Sequence, residues 1–234
     1  MHSHIFLLTG AAGSGKSTLV RHVFFGADFD ANVWKLKKHV YTNPKTGKET
    51  FTLYHQRGNC IILGAYKYPE APMWHFNKGK VPINGGTDRL QPQSTLATRD
   101  LILTARHKMF VIESSTGKIL NKMKSLLMPI VTSPTHSLIV VEMKGLTRLK
   151  LVQRVQQRDR LTTLDALNLV NKTERYVCQC KRKFDAHLSR GLPVAFIWAP
   201  MSACVAKKFL MKQRNKRLLE LHQQRRHKKL LWYL

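Results

Sequence analysis

Acidic residues are scarce in this chain. Thirteen Asp and Glu stand against 40 Lys and Arg in 234 residues, a formal charge of +27. An enzyme of small soluble metabolites needs no such field, whereas a protein that works on a polyanion does. Long apolar runs are also missing. No stretch approaches the ~20 residues of a membrane helix, so no membrane partner is expected. The start, Met1-His2-Ser3-His4, passes straight into a strand-like run and lacks the basic start and longer apolar stretch of a secretory leader. Cysteine is sparse: Cys60, Cys178, Cys180 and Cys204 are scattered, and Cys178-x-Cys180 has no further ligands nearby to complete a zinc site. A reducing, cytoplasmic setting is expected. What is present suffices for a folded domain: 43% of the residues are apolar, which excludes wholesale disorder.

The positive charge is densest at the C-terminal end, where residues 200–234 hold 10 Lys and Arg and one acid. From Ser202 onward there is neither Gly nor Pro, and Leu, Lys and Arg dominate, so a basic helical extension is predicted over 201–234. Two uses of it stay open. Its arginines and lysines, such as Arg214, Arg217, Arg225 and Lys229, can grip phosphates, or Leu218, Leu221 and Trp232 can dock it on the rest of the chain.

Residues 1–200 read as a single α/β domain. His4–Thr9 is a continuous apolar run of the kind buried on both faces of a parallel sheet. Similar runs stand at 60–64, 108–113, 137–142 and 194–198, with helical spacing at 17–25, 93–106, 117–127 and 146–190, the last broken near 159–163. The expectation is a five-stranded, mostly parallel sheet. Residues 38–55, two β-rich runs around Asn43-Pro44-Lys45-Thr46-Gly47-Lys48, read as a β-hairpin insertion. Residues 65–92, rich in Gly, Pro and aromatics, read as a long functional loop.

The strongest motif is Gly10-Ala11-Ala12-Gly13-Ser14-Gly15-Lys16-Ser17-Thr18, a complete G-x-x-x-x-G-K-[ST] between a buried strand and a helix. Its glycines let backbone N–H groups turn inward on phosphates. Lys16 would reach the β- and γ-phosphates, and the Ser17 hydroxyl would ligate Mg²⁺. No guanine-specifying N-K-x-D follows a strand, since Asn171-Lys172-Thr173-Glu174 falls in a helical stretch.

Three further groups can carry chemistry. Gly85-Gly86-Thr87-Asp88-Arg89-Leu90 lies in the long loop: Asp88 can take or orient a hydroxyl proton and Arg89 can hold a phosphate, or Asp88 simply caps a helix. Glu113 ends the third buried strand, where it can join the magnesium's water shell, act as the base itself, or cap the next helix. In Gln153-Arg154-Val155-Gln156-Gln157-Arg158, Arg154 and Arg158 share a helix face and can neutralise charge on a transferred phosphoryl group, or form a solvated basic surface. Kinases carry such arginines on a lid, here 146–165. Tyr66, Tyr68, Trp74 and Phe76 alternate with lysines and can stack a nucleic-acid base or fill the space under their loop.

The order of these pieces, GAAGSGKST, Leu63-Gly64-x-Tyr66, GGTDRL, a strand ending in Glu113 and then QRVQQRDR, resembles phage-type P-loop nucleotide kinases over residues 4–198. That group includes the kinases that phosphorylate 5-hydroxymethyluracil already in DNA. The resemblance implies a three-layer P-loop kinase fold, ATP in the phosphate loop with Mg²⁺, and an acceptor near Asp88 and Arg89. Charge then favours an acceptor on a polymer, with DNA as the partner through the basic surface and the C-terminal helix. The alternatives are a free deoxynucleoside monophosphate kinase tethered by its tail, and a DNA-binding P-loop ATPase that phosphorylates no acceptor.

Overall fold

The computed structural model describes residues 3–20, 25, 33–64, 66, 94–106, 108–113, 123–143, 146–188 and 194–199. They form an α/β unit around one mixed seven-stranded sheet. The strands are β1 (Ser3–Thr9), β2 (Lys35–Thr42), β3 (Glu49–Arg57), β4 (Cys60–Leu63), β5 (Met109–Glu113), β6 (His136–Met143) and β7 (Val194–Ala199). Their order across the sheet is β2-β3-β4-β5-β1-β6-β7. The helices are α1 (Lys16–Leu19), α2 (Ser94–Thr104), α3 (Met128–Val131), α4 (Arg148–Asp159) and α5 (Thr163–Leu188); a π-helical turn, Met123–Leu127, leads into α3.

The five apolar runs become the five parallel strands. Strand β1 lies between β5 and β6, β4 flanks β5, and β7 flanks β6. Every residue of β1 and of β6 is buried, as expected of strands covered on both faces. Side chains alternate between two cores. Ile5, Leu7, Phe110, Ile112, Leu138 and Val140 face α2, α3 and α5, and meet Leu101, Ile130 and Cys180. Phe6, Leu8, Val111, Ile139 and Val141 face the side of α1 and meet Leu19, Phe25 and Trp34. Each fully buried aliphatic or aromatic side chain of this kind contributes roughly 1.5–3 kcal/mol.

The sheet corrects one expectation. It is mixed and seven-stranded, not five-stranded and mostly parallel, because the hairpin is part of it rather than an insertion beside it. Strand β2 pairs antiparallel with β3, and β3 pairs antiparallel with β4. The edge of β4 offers a row of backbone donors and acceptors that the hairpin satisfies. Strand β3 is inward-facing enough to stay there: Thr52, Leu53 and His55 are buried, and the Thr98 hydroxyl of α2 donates to Thr52 Oγ1 at 2.9 Å. The exposed lysines and threonines of β2 then form the sheet's outer border.

One helix end differs from the sequence reading, and one helix break falls where it is expected. The helix expected near 117–127 is described from Met123, as the π-helical turn, and it runs on past 127 through α3 to Val131, with Pro129 in the first turn of α3. The break expected near 159–163 is Arg160, whose φ of 53° caps α4 in a left-handed turn before α5 begins. The C-terminal helix over 201–234 lies outside the described residues.

This topology places a site. The helix after β1 lies on one face of the sheet, and the helix after its neighbour β5 lies on the other. Ligands of open α/β sheets sit outside the carboxyl ends of strands at such a switch. Here those ends are Thr9, followed by the glycine-rich loop, and Glu113.

Candidate phosphate site at the end of the central strand

Residues 10–15 turn from the end of β1 into α1 through three glycines with positive φ: Gly10 at 148°, Gly13 at 77° and Gly15 at 92°. Gly13 is required twice over. Its conformation is one that L-residues rarely adopt, and an added Cβ would lie 2.9 Å from the Leu151 carbonyl oxygen and 3.1 Å from Val155 of α4. The loop is thus pressed against α4, and Ala11 is buried with Leu151, Val152, Val155, Ala166 and Val170.

A second helix holds the loop as well. The backbone N–H of Ala12 donates to Thr173 Oγ1 of α5 at 2.9 Å, and that hydroxyl reaches back to the Leu169 carbonyl at 2.9 Å. The Asn171-Lys172-Thr173-Glu174 segment therefore serves the loop structurally, as part of α5.

Lys16 folds over this loop. Its Nζ donates to the carbonyls of Gly10 at 3.0 Å and Ala11 at 3.1 Å, so the ammonium is held at the mouth of the loop by groups of the loop itself. The next residue, Ser17, hydrogen-bonds through Oγ to Glu113 Oε1. The sequence reading named both residues, 96 positions apart, as magnesium-site candidates, and the fold brings them into contact. Thr18 follows in α1. The Ser14 hydroxyl is buried in the loop with no hydrogen-bond partner among the described residues.

Glu113 is 6% exposed, and its other oxygen accepts from Tyr66 Oη at 2.6 Å. Tyr66 is itself buried, so it is not a free platform for stacking a base; of the two uses open to the loop aromatics, it has the interior one. Its ring packs edge-on against Phe25 at 5.2 Å between centroids, and Phe25 packs the same way on Trp34 and His55. The backbone N–H of Tyr66 donates to His55 Nε2 at 3.2 Å, which leaves Nδ1–H of His55 to donate to the Trp34 carbonyl, also at 3.2 Å. Burial pushes the His55 imidazole down to about 4, partly offset by its bond to the Trp34 carbonyl. The ring therefore stays neutral at physiological pH and keeps one acceptor and one donor.

His55, Tyr66 and Glu113 thus form a continuous hydrogen-bonded line from the hairpin to Ser17. The sequence reading placed only Glu113 and Ser17 in it. The alternation of β3 put His55 on the inner face, which is the one sequence signal for its role.

Arg154 lies on the exposed side of α4, with its Cβ 3.5 Å from where a Cβ on Gly13 would stand, so it borders the loop. Arg158 follows one turn later on the same helix; its side chain lies outside what the structure describes, as do Asp88, Arg89, Tyr68, Trp74 and Phe76. Cys178 and Cys180 sit on different sides of α5, one exposed and one buried, and burial pushes the Cys180 thiol up to about 12. They share no metal site. Among the described residues no group of three or more His, Cys, Asp or Glu gathers for a metal, and no helix is long and apolar enough to cross a membrane. A magnesium site needs no such group, since this ion keeps several waters and takes one or two protein oxygens beside substrate phosphates. The Ser17 hydroxyl and the Glu113 carboxylate are hard oxygen donors of that kind.

No family model matches this chain, and no curated protein sequence matches it.

Proposed function

We propose that this chain is an ATP- and Mg²⁺-dependent P-loop kinase that transfers the γ-phosphate to a hydroxyl carried by DNA, the hydroxymethyl group of 5-hydroxymethyluracil being the acceptor. The observation that carries the reading is the contact of Ser17 with Glu113 where β1 and β5 end, with Lys16 folded over the loop of a complete G-x-x-x-x-G-K-[ST] motif. A loop fixed by both α4 and α5 is preorganised to present its N–H groups to phosphates. The three-layer P-loop kinase fold is our reading of the mixed α/β sheet with helices on both faces.

In this reading the loop N–H groups cradle the triphosphate, and Lys16 exchanges its bonds to the Gly10 and Ala11 carbonyls for the β- and γ-phosphates. Ser17 and Glu113 would hold Mg²⁺, which when bound would neutralise phosphate charge. Both Glu113 oxygens are engaged, by Ser17 and by Tyr66, which favours this role over that of the base. Asp88 is then the base. It takes the acceptor proton as the hydroxyl oxygen bonds to the γ-phosphorus and the bond to the bridging oxygen of ADP breaks. Arg89 holds an acceptor phosphate, and Arg154 with Arg158 neutralises the charge of the phosphoryl group in flight. The formal charge of +27 supports an acceptor on a polymer. The setting in this reading is the cytoplasm, that of the host if the chain is phage-encoded.

Transfer from labelled ATP to hydroxymethyluracil DNA tests the assignment through two variants. Lys16→Ala should abolish transfer and weaken ATP binding. Asp88→Asn should lose turnover and keep ATP binding; full activity in Asp88→Asn removes that residue from the base role.

A further inference from the structure

A basic groove of about 450 Å³ opens between the start of α4 and the middle of α5, away from the phosphate loop's own residues. Arg148 of α4 and Arg175 and Arg182 of α5 line it, with Asn171, Glu174 and Cys178. The three guanidinium groups face one carboxylate, and that pairing is loose: Arg148 Nε lies 4.0 Å from Glu174 Oε2. Arg175 and Arg182 are exposed. The Asn171 side-chain oxygen is buried at the groove with no hydrogen-bond partner among the described residues. A buried polar atom without a partner is costly, and the three exposed guanidinium groups have a single carboxylate among the residues that line the groove.

We infer that this α4–α5 groove is the seat of a polynucleotide backbone, with Arg175 and Arg182 on phosphates about three apart along one strand, Arg148 on a phosphate beside them, and the Asn171 amide oxygen accepting from a base-edge N–H. The inference rests on the proposed function for the class of its partner. The groove itself adds the geometry. Arg175 and Arg182 are seven residues apart on one helix, about 10 Å along its axis. That is the axial rise of roughly three phosphates on one strand of a duplex. Guanidinium forks suit phosphate oxygens and cannot lose their charge. A lone inorganic anion would occupy a small part of such a groove, whereas a chain of phosphates runs along it. The groove is also tied to the phosphate loop, because Thr173, between Asn171 and Glu174 in sequence, accepts the Ala12 N–H bond. A strand held there runs beside the phosphate site.

The test is binding of an unmodified, fluorescently labelled DNA duplex to the full chain, measured over a range of salt. Arg175→Gln/Arg182→Gln should weaken binding about tenfold or more and reduce the slope of log affinity against log salt by about 2. Lys45→Gln/Lys48→Gln removes the same charge from the exposed hairpin turn, outside the groove, and should leave the slope near that of the wild type. Equal effects of the two pairs, or no effect of the arginine pair, would overturn the assignment. Cys178 supplies a second readout that needs no variant. Duplex should slow alkylation of its exposed thiol severalfold, and polyglutamate at equal charge should not. No protection by duplex overturns the site, and equal protection by polyglutamate overturns the polynucleotide as its occupant. No phosphate transfer is measured, so the result stands whether or not the chain is a kinase; kinase activity on DNA with unaltered binding by the arginine pair would remove the groove alone.

Discussion

Tyr66 Oη donates to Glu113 Oε2 at 2.6 Å, and Glu113 passes the constraint on to Ser17 through its other oxygen. A carboxylate at the end of β5 is thereby held facing the first turn after the phosphate loop. Its orientation depends on an aromatic side chain from the far side of the long loop boundary, and that aromatic is in turn fixed by His55.

Tyr66→Phe keeps the ring's packing against Phe25 and removes the donor. A hydrogen bond to a charged group is worth about 1.5–3 kcal/mol. The variant should need roughly tenfold or more Mg²⁺ for half-maximal activity, with turnover at saturating Mg²⁺ much less affected. A magnesium titration at fixed ATP reads both quantities. An unchanged half-saturation point would take Tyr66 out of the proposed magnesium site.

Gly13→Ala places a methyl group where the Leu151 carbonyl and Val155 already stand, in a backbone conformation alanine disfavours. Residues forced into such regions cost about 1–3 kcal/mol each. The thermal midpoint should fall by several degrees, and ATP binding should fall with it, because α4 must shift off the loop. Thermal melts with and without ATP separate the two effects.

The pH dependence of stability follows from His55. Its folded pKa of about 4 lies below the ordinary histidine value of 6.5, because burial disfavours the charged ring. The unfolded chain therefore binds more protons between these values, and stability rises with pH across that window. The contribution is fully present above about pH 6.5, declines as pH falls toward 4, and amounts to about 3 kcal/mol in order of magnitude. His136, buried against the Ile102 carbonyl, is shifted in the same direction. Denaturant unfolding at stepped pH should show this decline, and His55→Gln should flatten part of it.

Thr173→Val removes the acceptor of the Ala12 N–H while keeping the side-chain shape. An unsatisfied buried donor costs about 1–3 kcal/mol. The loop should lose part of its preorganisation, seen as ATP affinity weakened roughly tenfold with the helical signal in circular dichroism intact.

The parts legible in the sequence are those where one residue type has one physical reason. Five continuous apolar runs became the five parallel strands, because a strand covered on both faces must be apolar throughout. The turn after β1 was legible because its glycines are demanded by backbone geometry at fixed spacing. The hairpin's shape was legible from Asn43 to Lys48, but its place was not. Pairing of β3 with β4 is a backbone event, and only the run of small and apolar residues around Thr52 and Leu53, buried on both faces, hints at it. Thr173 was hidden for a similar reason. Within an amphipathic helix, one threonine facing a loop 161 residues away looks like any other. Tyr66 sat among aromatics whose alternating lysines suggested a stacking surface, and burial sent it inward.

The most direct measurement is transfer of labelled γ-phosphate from ATP to four acceptors in parallel: unmodified DNA, hydroxymethyluracil DNA, 5′-hydroxyl oligonucleotides and free deoxynucleoside monophosphates. Label on hydroxymethyluracil DNA alone, lost in Lys16→Ala, is the expected result. Label on a free monophosphate alone would mean that the positive charge tethers the enzyme rather than presenting its substrate, and hydrolysis stimulated by DNA with no labelled acceptor would remove the kinase assignment itself.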